Sequence, residues 1–447
     1  MAQKPKRLMS LDAFRGFVML AMASSGFAFK KVAGTVRDKY VGTSWENGWR
    51  FLWDTLAYQF DHVAWTGCAA WDLIQPCFMF MVGVALPFSI SRRVDEGENP
   101  LRRLAHAAYR SAVLVSLGVL LSSSLEEGIN FTFANVLAQI GLGYVFVFLL
   151  ADRNLKVLVL AATIVLGGYG AWFVYQPLDP AEIAATQHYI NSELKLPPAE
   201  YSQFQGHEAH WNKHTNAAAS FDREWLSKLP RKEQPWFGRT FWVNKGGYQT
   251  LNFVPSMATM IFGLMAGRVL RSERDDKQRL KWLFGAGLFC FVLSLGADRN
   301  LWPIQWLSPE WQQKIWEHSW SLCPAVKRIW TPTWAVFSAG WAFWALAAFY
   351  WFVDVKGHQK IVMPLAVVGI NSIAMYCLYQ LFRGWIGGAI RVSFNTIDRL
   401  ASWENGLGSW IDPARWDYAP ICDNVLRLAV LWGVCFWMYR KRLFVRI

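Results

Sequence analysis

One histidine and one aspartate stand out for what they could do together. His62 lies in Asp61-His62-Val63-Ala64-Trp65-Thr66-Gly67, and Asp72 follows in Trp71-Asp72-Leu73-Ile74-Gln75-Pro76, where an apolar run begins. Imidazole is the side chain best suited to shuttle a proton near neutral pH, and it can also accept an acyl group as a nucleophile. A carboxylate within reach can orient or polarise it. Each residue has a plainer explanation too. A loop histidine needs no role, and an acid at the start of a helix is stabilised by the backbone dipole whatever else it does.

Three further polar residues are candidates for ligand binding. Asp12 and Arg15 are close enough on one helix to pair, and Arg15 near a cytoplasmic helix end suits a phosphate group. The alternative is an ion pair with a snorkelling arginine. Gln139 and Asn371 interrupt otherwise apolar stretches, which marks either a pocket or helix–helix hydrogen bonds. His207, His210 and His214 have H-x2-H-x3-H spacing, and on a helix the last two would share a face as zinc ligands do. The run His207-Glu208-Ala209-His210 is one residue short of the metalloprotease pattern, so no metal is expected. The sequence lacks a P-loop, a dinucleotide fingerprint and a nucleophile elbow in any sensible context.

The elements that must carry these residues are membrane helices. The chain is 54% hydrophobic and 17% charged, against about 25% charged in soluble domains. The charge is removed in blocks: Ile361 to Phe382 and Ile329 to Val353 contain none. Crossing a bilayer takes roughly 20 apolar residues, and the backbone there must bond to itself. A β-barrel is excluded, because its strands alternate over about 10 residues. The expected fold class is all-α, a polytopic integral membrane protein with about ten transmembrane helices and long outer loops. Spans are expected near 10–29, 69–90, 104–123, 131–150, 157–176, 250–270, 282–297, 331–353, 361–382 and 423–439. The N-terminal stretch is kept as a mature helix, since Asp12 and Arg15 interrupt it as they would not a signal peptide.

Charge sets the expected orientation. Lys4, Lys6, Arg7, Arg92, Arg93, Arg102, Arg103, Arg153, Lys156, Arg271, Arg274, Lys277, Arg279, Lys281, Lys356, Lys360, Arg440, Lys441, Arg442 and Arg446 fall in alternate short connections, while Ser124 to Asn130 has no basic residue. The positive-inside rule then places both termini in the cytoplasm. The net charge of +13 is read as these basic loops and not as a nucleic-acid surface. The 27 Trp residues suit membrane–water boundaries. The expected organisation is a single domain over 1–447, with an outer cap at 177–249 containing a helix near Ala217 to Leu229. Cys68, Cys323 and Cys422 fall in or beside outer loops, which allows one disulfide.

Taken in order, these segments resemble the heparan-α-glucosaminide N-acetyltransferase family. The residues that carry the resemblance are Leu11-Asp12-Ala13-Phe14-Arg15-Gly16; the His62 to Gly67 and Asp72 to Pro76 segments; Phe80-Met81-Val82-Gly83; Gly263-Leu264-Met265-Ala266-Gly267; Trp330-Thr331; Asp354-Val355-Lys356-Gly357; and Gly369-Ile370-Asn371-Ser372-Ile373. The resemblance implies transfer of an acetyl group from cytosolic acetyl-CoA to the amine of a terminal glucosamine across the membrane, with the active-site histidine falling on His62. It implies acetyl-CoA as donor, an amino sugar or other glycan as acceptor, and a multi-pass protein of the bacterial inner membrane, and it leaves a homodimer open. The chain departs from the family at Ser24-Ser25-Gly26, Ala138-Gln139, Val326-Lys327 and Tyr379-Gln380, so N- and O-acetylation both stay open. The rival class is a transporter for a sugar or related solute, without chemistry.

Overall fold

The computed structural model describes residues 8–124, 128–189, 204–226, 228–229, 234–236, 239–241, 244, 246–302, 321–403 and 406–445. It is helical apart from two three-residue antiparallel strands, β1 (Gln234–Trp236) and β2 (Arg239–Phe241). Among the described residues, seven helical segments are long and apolar enough to cross a membrane: Ala70–Asp95, Pro100–Ser123, Leu155–Tyr175, Thr250–Arg271, Asp276–Ala297, Pro332–Val355 and Ala419–Arg440. A bent pair, Met363–Ile370 with Ser372–Ala401, would make an eighth.

Three expected spans differ from these. The run 10–29 stops early: α1 (Met9–Ala23) is 15 residues long. Beyond it Ser25, Gly26, Phe27 and Ala28 all take left-handed φ values, from 48° to 61°, before α2 (Phe29–Val36). Only Gly26 is unstrained there, and the others each cost about 1–2 kcal/mol. The run 131–150 yields only α6 (Val136–Leu149), because Asn135 caps it by accepting from Ala138 N at 3.0 Å. The run 361–382 is broken at Asn371 into α13 (Met363–Ile370) and α14 (Ser372–Ala401), which bend by 80°.

The chain separates into two compact units. The first joins residues up to Val63, Ala69–Ile74, and the chain from Ala348 onward. In it α1 lies against α13 at backbone distance. A Cβ on Gly16 would strike Leu365 O, and one on Gly369 would strike Asp12 O. Side chains this small let helices meet without a hydrophobic driving force between them. Asp354 fixes the start of α1: its two carboxylate oxygens accept from Met9 N at 3.1 Å and Ser10 N at 3.2 Å, which satisfies orphan donors of the first turn. α2 and α3 (Glu46–Gln59) form a hairpin over Val32, Ala33, Val36 and Trp53. α15 (Ala419–Arg440) packs along α14.

The second unit comprises Ala64–Cys68 and Gln75–Ala347. It contains α4 (Ile74–Asp95), α5 (Pro100–Ser123), α7 (Leu155–Tyr175), α10 (Phe253–Arg271), α11 (Asp276–Ala297) and α12 (Pro332–Phe349). Glycines again set the crossings. Gly83 of α4 abuts Met260 O of α10, and Gly263 and Gly267 abut Phe80 O and Val84 O. The glycines of the Phe80–Gly83 and Gly263–Gly267 segments therefore have a packing role. The expected cap segment contributes α8 (Pro180–Tyr189) and α9 (Ala217–Leu226) and packs on α7 through Tyr169, Phe173, Trp211, Ala217 and Ala218. Every cysteine is a free thiol, so the disulfide that the outer-loop cysteines allowed is not formed.

Candidate functional site

The first unit holds a histidine–aspartate pair. α3 ends at Gln59, and the chain then turns through Phe60 to Val63. It re-enters the unit at Ala69, where a single 3-10 turn, Ala70–Leu73, leads into α4. Ala69 has no side chain able to cap that turn, so Asp72 does it from within. Asp72 Oδ2 accepts from Ala69 N at 3.1 Å and from Val63 N at 3.3 Å. The remaining oxygen, Oδ1, lies 2.7 Å from His62 Nδ1.

Burial sharpens that contact. The Asp72 side chain is 1% exposed and that of His62 is 38% exposed. The carboxylate is fixed by backbone amides and has one oxygen turned to the ring. A carboxylate only accepts hydrogen bonds, so Nδ1 carries the proton and Nε2 is the acceptor nitrogen of the neutral ring. This is the relation by which a buried aspartate sets the tautomer of a catalytic histidine. The backbone nearby is held as well. Gly26 of the left-handed turn sits against Phe60 O with no room for a Cβ, and Lys30 pairs with Asp61 at 2.5 Å. Gly26 and Lys30 thus hold the segment that carries His62, beside the left-handed residues Ser25, Phe27 and Ala28. Strain of this kind tends to collect at functional sites.

The other expected site residues are held by different partners. Arg15 Nη1 lies 3.9 Å from Asp12 Oδ1, the pairing that spacing on one helix allows. Asn371 is fully buried. Its amide nitrogen donates to Leu443 O and its oxygen accepts from Val445 N, both at 3.0 Å. It ties the chain end to the α13–α14 break. Gln139, in the second unit, donates to Phe133 O at 2.7 Å and Thr250 O at 3.1 Å, and its buried Oε1 has no hydrogen-bond partner among the described residues. Of the expected set, the structure brings His62 and Asp72 together.

His207, His210 and His214 do not share a helix face. His207 and His210 lie on a 3-10 turn, Gly206–Trp211, and His214 lies beyond it at φ 71°. His207 Nε2 is 2.8 Å from Leu322 O. Among the described residues no group of three His, Cys, Asp or Glu side chains is placed to hold a metal ion. Sequence reasoning also passed over the chain Ser25 Oγ to Tyr379 Oη at 2.9 Å and Tyr379 Oη to Arg383 Nη1 at 2.9 Å. Its only sequence signal was the Tyr-x3-Arg spacing on α14, which puts those two side chains on one face.

No family model matches the chain. A stretch of 117 residues is 27% identical to human heparan-alpha-glucosaminide N-acetyltransferase, covering 26% of this chain and 14% of the human protein. The chain is similar to an acetyltransferase. The likeness is weak and partial, and the chain spans only that small share of its relative's length. With the apolar helices, it fits a multi-pass membrane protein that resembles a transferase.

Proposed function

We propose that this protein is a transmembrane acyltransferase. It moves an acetyl group from cytoplasmic acetyl-CoA to an amino sugar, or to a hydroxyl of another glycan, at the outer face of the inner membrane, with both termini cytoplasmic. The observation that carries this reading is the 2.7 Å bond from His62 Nδ1 to the buried, amide-fixed Asp72 carboxylate. It is supported by the similarity to an acetyltransferase. Membrane placement suits the chemistry, because CoA carries several charges and cannot cross hydrocarbon to meet an outer acceptor.

The acceptor nitrogen or oxygen attacks the thioester carbonyl carbon and loses its proton to His62 Nε2. The C–S bond breaks, and the imidazolium returns the proton to the CoA sulfur. In the two-step variant, Nε2 attacks the thioester carbon and CoA leaves as the thiolate; the acceptor then attacks the acetyl carbon, the C–N bond to Nε2 breaks, and the acceptor's proton ends on the CoA thiolate. Asp72 supports either route by compensating the ring's positive charge. Arg15 is assigned to the CoA phosphates, which a planar guanidinium can grip bidentately. Arg15→Ala should weaken acetyl-CoA binding in a filter assay; unchanged affinity removes it from the donor site.

The 80° break between α13 and α14 favours a second reading, because discontinuous helices recur in secondary transporters. One experiment separates the two. Purified protein is incubated with labelled acetyl-CoA and a panel of amino sugars, and sugar uptake is followed in parallel in proteoliposomes. Label in a sugar supports transfer. Uptake of unmodified sugar without label supports transport.

A further inference from the structure

One side of α5 is cationic near its start. Arg103, His106 and Arg110 recur at spacings of three and four residues, which stacks them along one face of the helix. Arg93, near the end of α4, reaches the same face: its Nη2 lies 2.9 Å from His106 Nε2. An arginine only donates, so Nε2 accepts, and the imidazole in this bond is neutral with its proton on Nδ1. The acid Glu98 is taken up by Arg93, whose Nη1 donates to both carboxylate oxygens at 3.1 Å. Glu96 pairs with Arg92 at 3.6 Å. Arg103 and Arg110 have no carboxylate partner among the described residues.

The surroundings of the two arginines select the kind of anion. Arg110 Nη1 donates to Tyr144 Oη on α6 at 3.2 Å, and its guanidinium lies 4.7 Å from the centre of that ring. The Nε atoms of Arg103 and Arg110 are buried without hydrogen-bond partners among the described residues. Both side chains are still only half-buried, so an outside ligand meets their forked ends. Beyond Arg110 the same side of α5 continues as Val113, Leu117 and Leu120, which are half-buried or exposed. Tyr109 is 65% and Leu120 61% exposed, so this part of α5 faces outward. A ligand with a negative head and an apolar chain matches that order of residues, whereas a free anion leaves the apolar strip unused. Side chains on a helix lean towards its N-terminus, here the membrane surface, which lets Arg110 snorkel to headgroup depth. Tyr109 and Tyr144 suit the same depth.

We infer that Arg103 and Arg110 form a headgroup site for an anionic phospholipid of the leaflet at the α4–α5 turn. Arg110 meets the phosphate, as a guanidinium fork does well. Arg103, two helical turns nearer the surface, supplies the positive field that favours an anionic head over a zwitterionic one. An acyl chain runs along Val113, Leu117 and Leu120. The inference rests neither on acetyl transfer nor on which side of the membrane the turn faces.

The test is native mass spectrometry of the purified full-length protein in detergent, titrated with phosphatidylglycerol and with phosphatidylcholine of the same acyl chains. The wild type should bind phosphatidylglycerol roughly tenfold tighter. Arg103→Gln combined with Arg110→Gln should cut that preference to about twofold or less. Arg153→Gln combined with Lys156→Gln removes as much charge from another short connection and should keep it. Equal binding of the two lipids by the wild type overturns the inference, whether or not any variant folds. So does an unchanged preference in the arginine pair, or an equal loss in both double variants, when they unfold at the wild-type temperature. Should the arginine pair misfold, Arg103→Gln alone takes its place, and an undiminished preference there overturns the inference. Inorganic phosphate should not compete; displacement of phosphatidylglycerol by phosphate at equal concentration names a free-anion site and overturns the lipid assignment.

Discussion

At His62 the ring's chemistry is decided by the side chain it leans on. Asp72 spends one oxygen on two backbone amides and the other on Nδ1. Replacing that carboxylate by an amide puts an N–H₂ group against either the amides or the ring, and donors do not pair with donors. Asp72→Asn should therefore lower the transfer rate by about 100-fold, within the span of general-base effects, while acetyl-CoA binding is kept. Wild-type turnover in that variant would remove Asp72 from the mechanism. The pair was legible in the sequence because both residues flank one short segment, ten positions apart. Asn371 and Gln139 were legible only as polar residues in apolar runs. Their partners are backbone groups of Leu443, Val445, Phe133 and Thr250, which carry no residue-type signal.

Helix boundaries show the same division. Long apolar blocks with few charges mark α4, α5, α7, α10, α11, α12 and α15 within a few residues, since hydrocarbon length is a property of composition. The stop after Ala23 is written in backbone angles adopted by Ser25, Phe27 and Ala28, none of which favours them, so no pattern announces it. The capping of α1 by Asp354 is equally invisible, because Met9 and Asp354 lie 345 residues apart. Glycine-bearing segments that carry the family resemblance have a packing role here. Gly263→Val should force Phe80 O and the α10 backbone apart at a cost of about 1–3 kcal/mol or more. Gly285, with nothing near its Cβ position, serves as the control. Thermal unfolding in detergent should show a lowered midpoint for Gly263→Val and little change for Gly285→Ala. Equal midpoints would deny the glycine crossing.

For the molecule as a whole, the orientation inferred from charge is the frame on which the chemistry rests. A cytoplasmic donor and an outer acceptor require the basic short loops and the 177–249 segment to face opposite sides. Single cysteines at Arg102 and Lys277 should react with a membrane-impermeant maleimide only from the cytoplasmic side, and one at Trp225, which is 51% exposed, only from the outside. Labelling at position 225 from the cytoplasm would invert the arrangement.

Whether His62 performs acetyl transfer is decided by comparing two proteins. Wild-type and His62→Ala proteins, matched for folding by thermal unfolding, are given labelled acetyl-CoA and an accepted sugar, and label in the sugar is followed with time. The variant should be slower by about 100- to 10,000-fold with acetyl-CoA affinity retained. A His62→Ala protein that acetylates the sugar at the wild-type rate would contradict it.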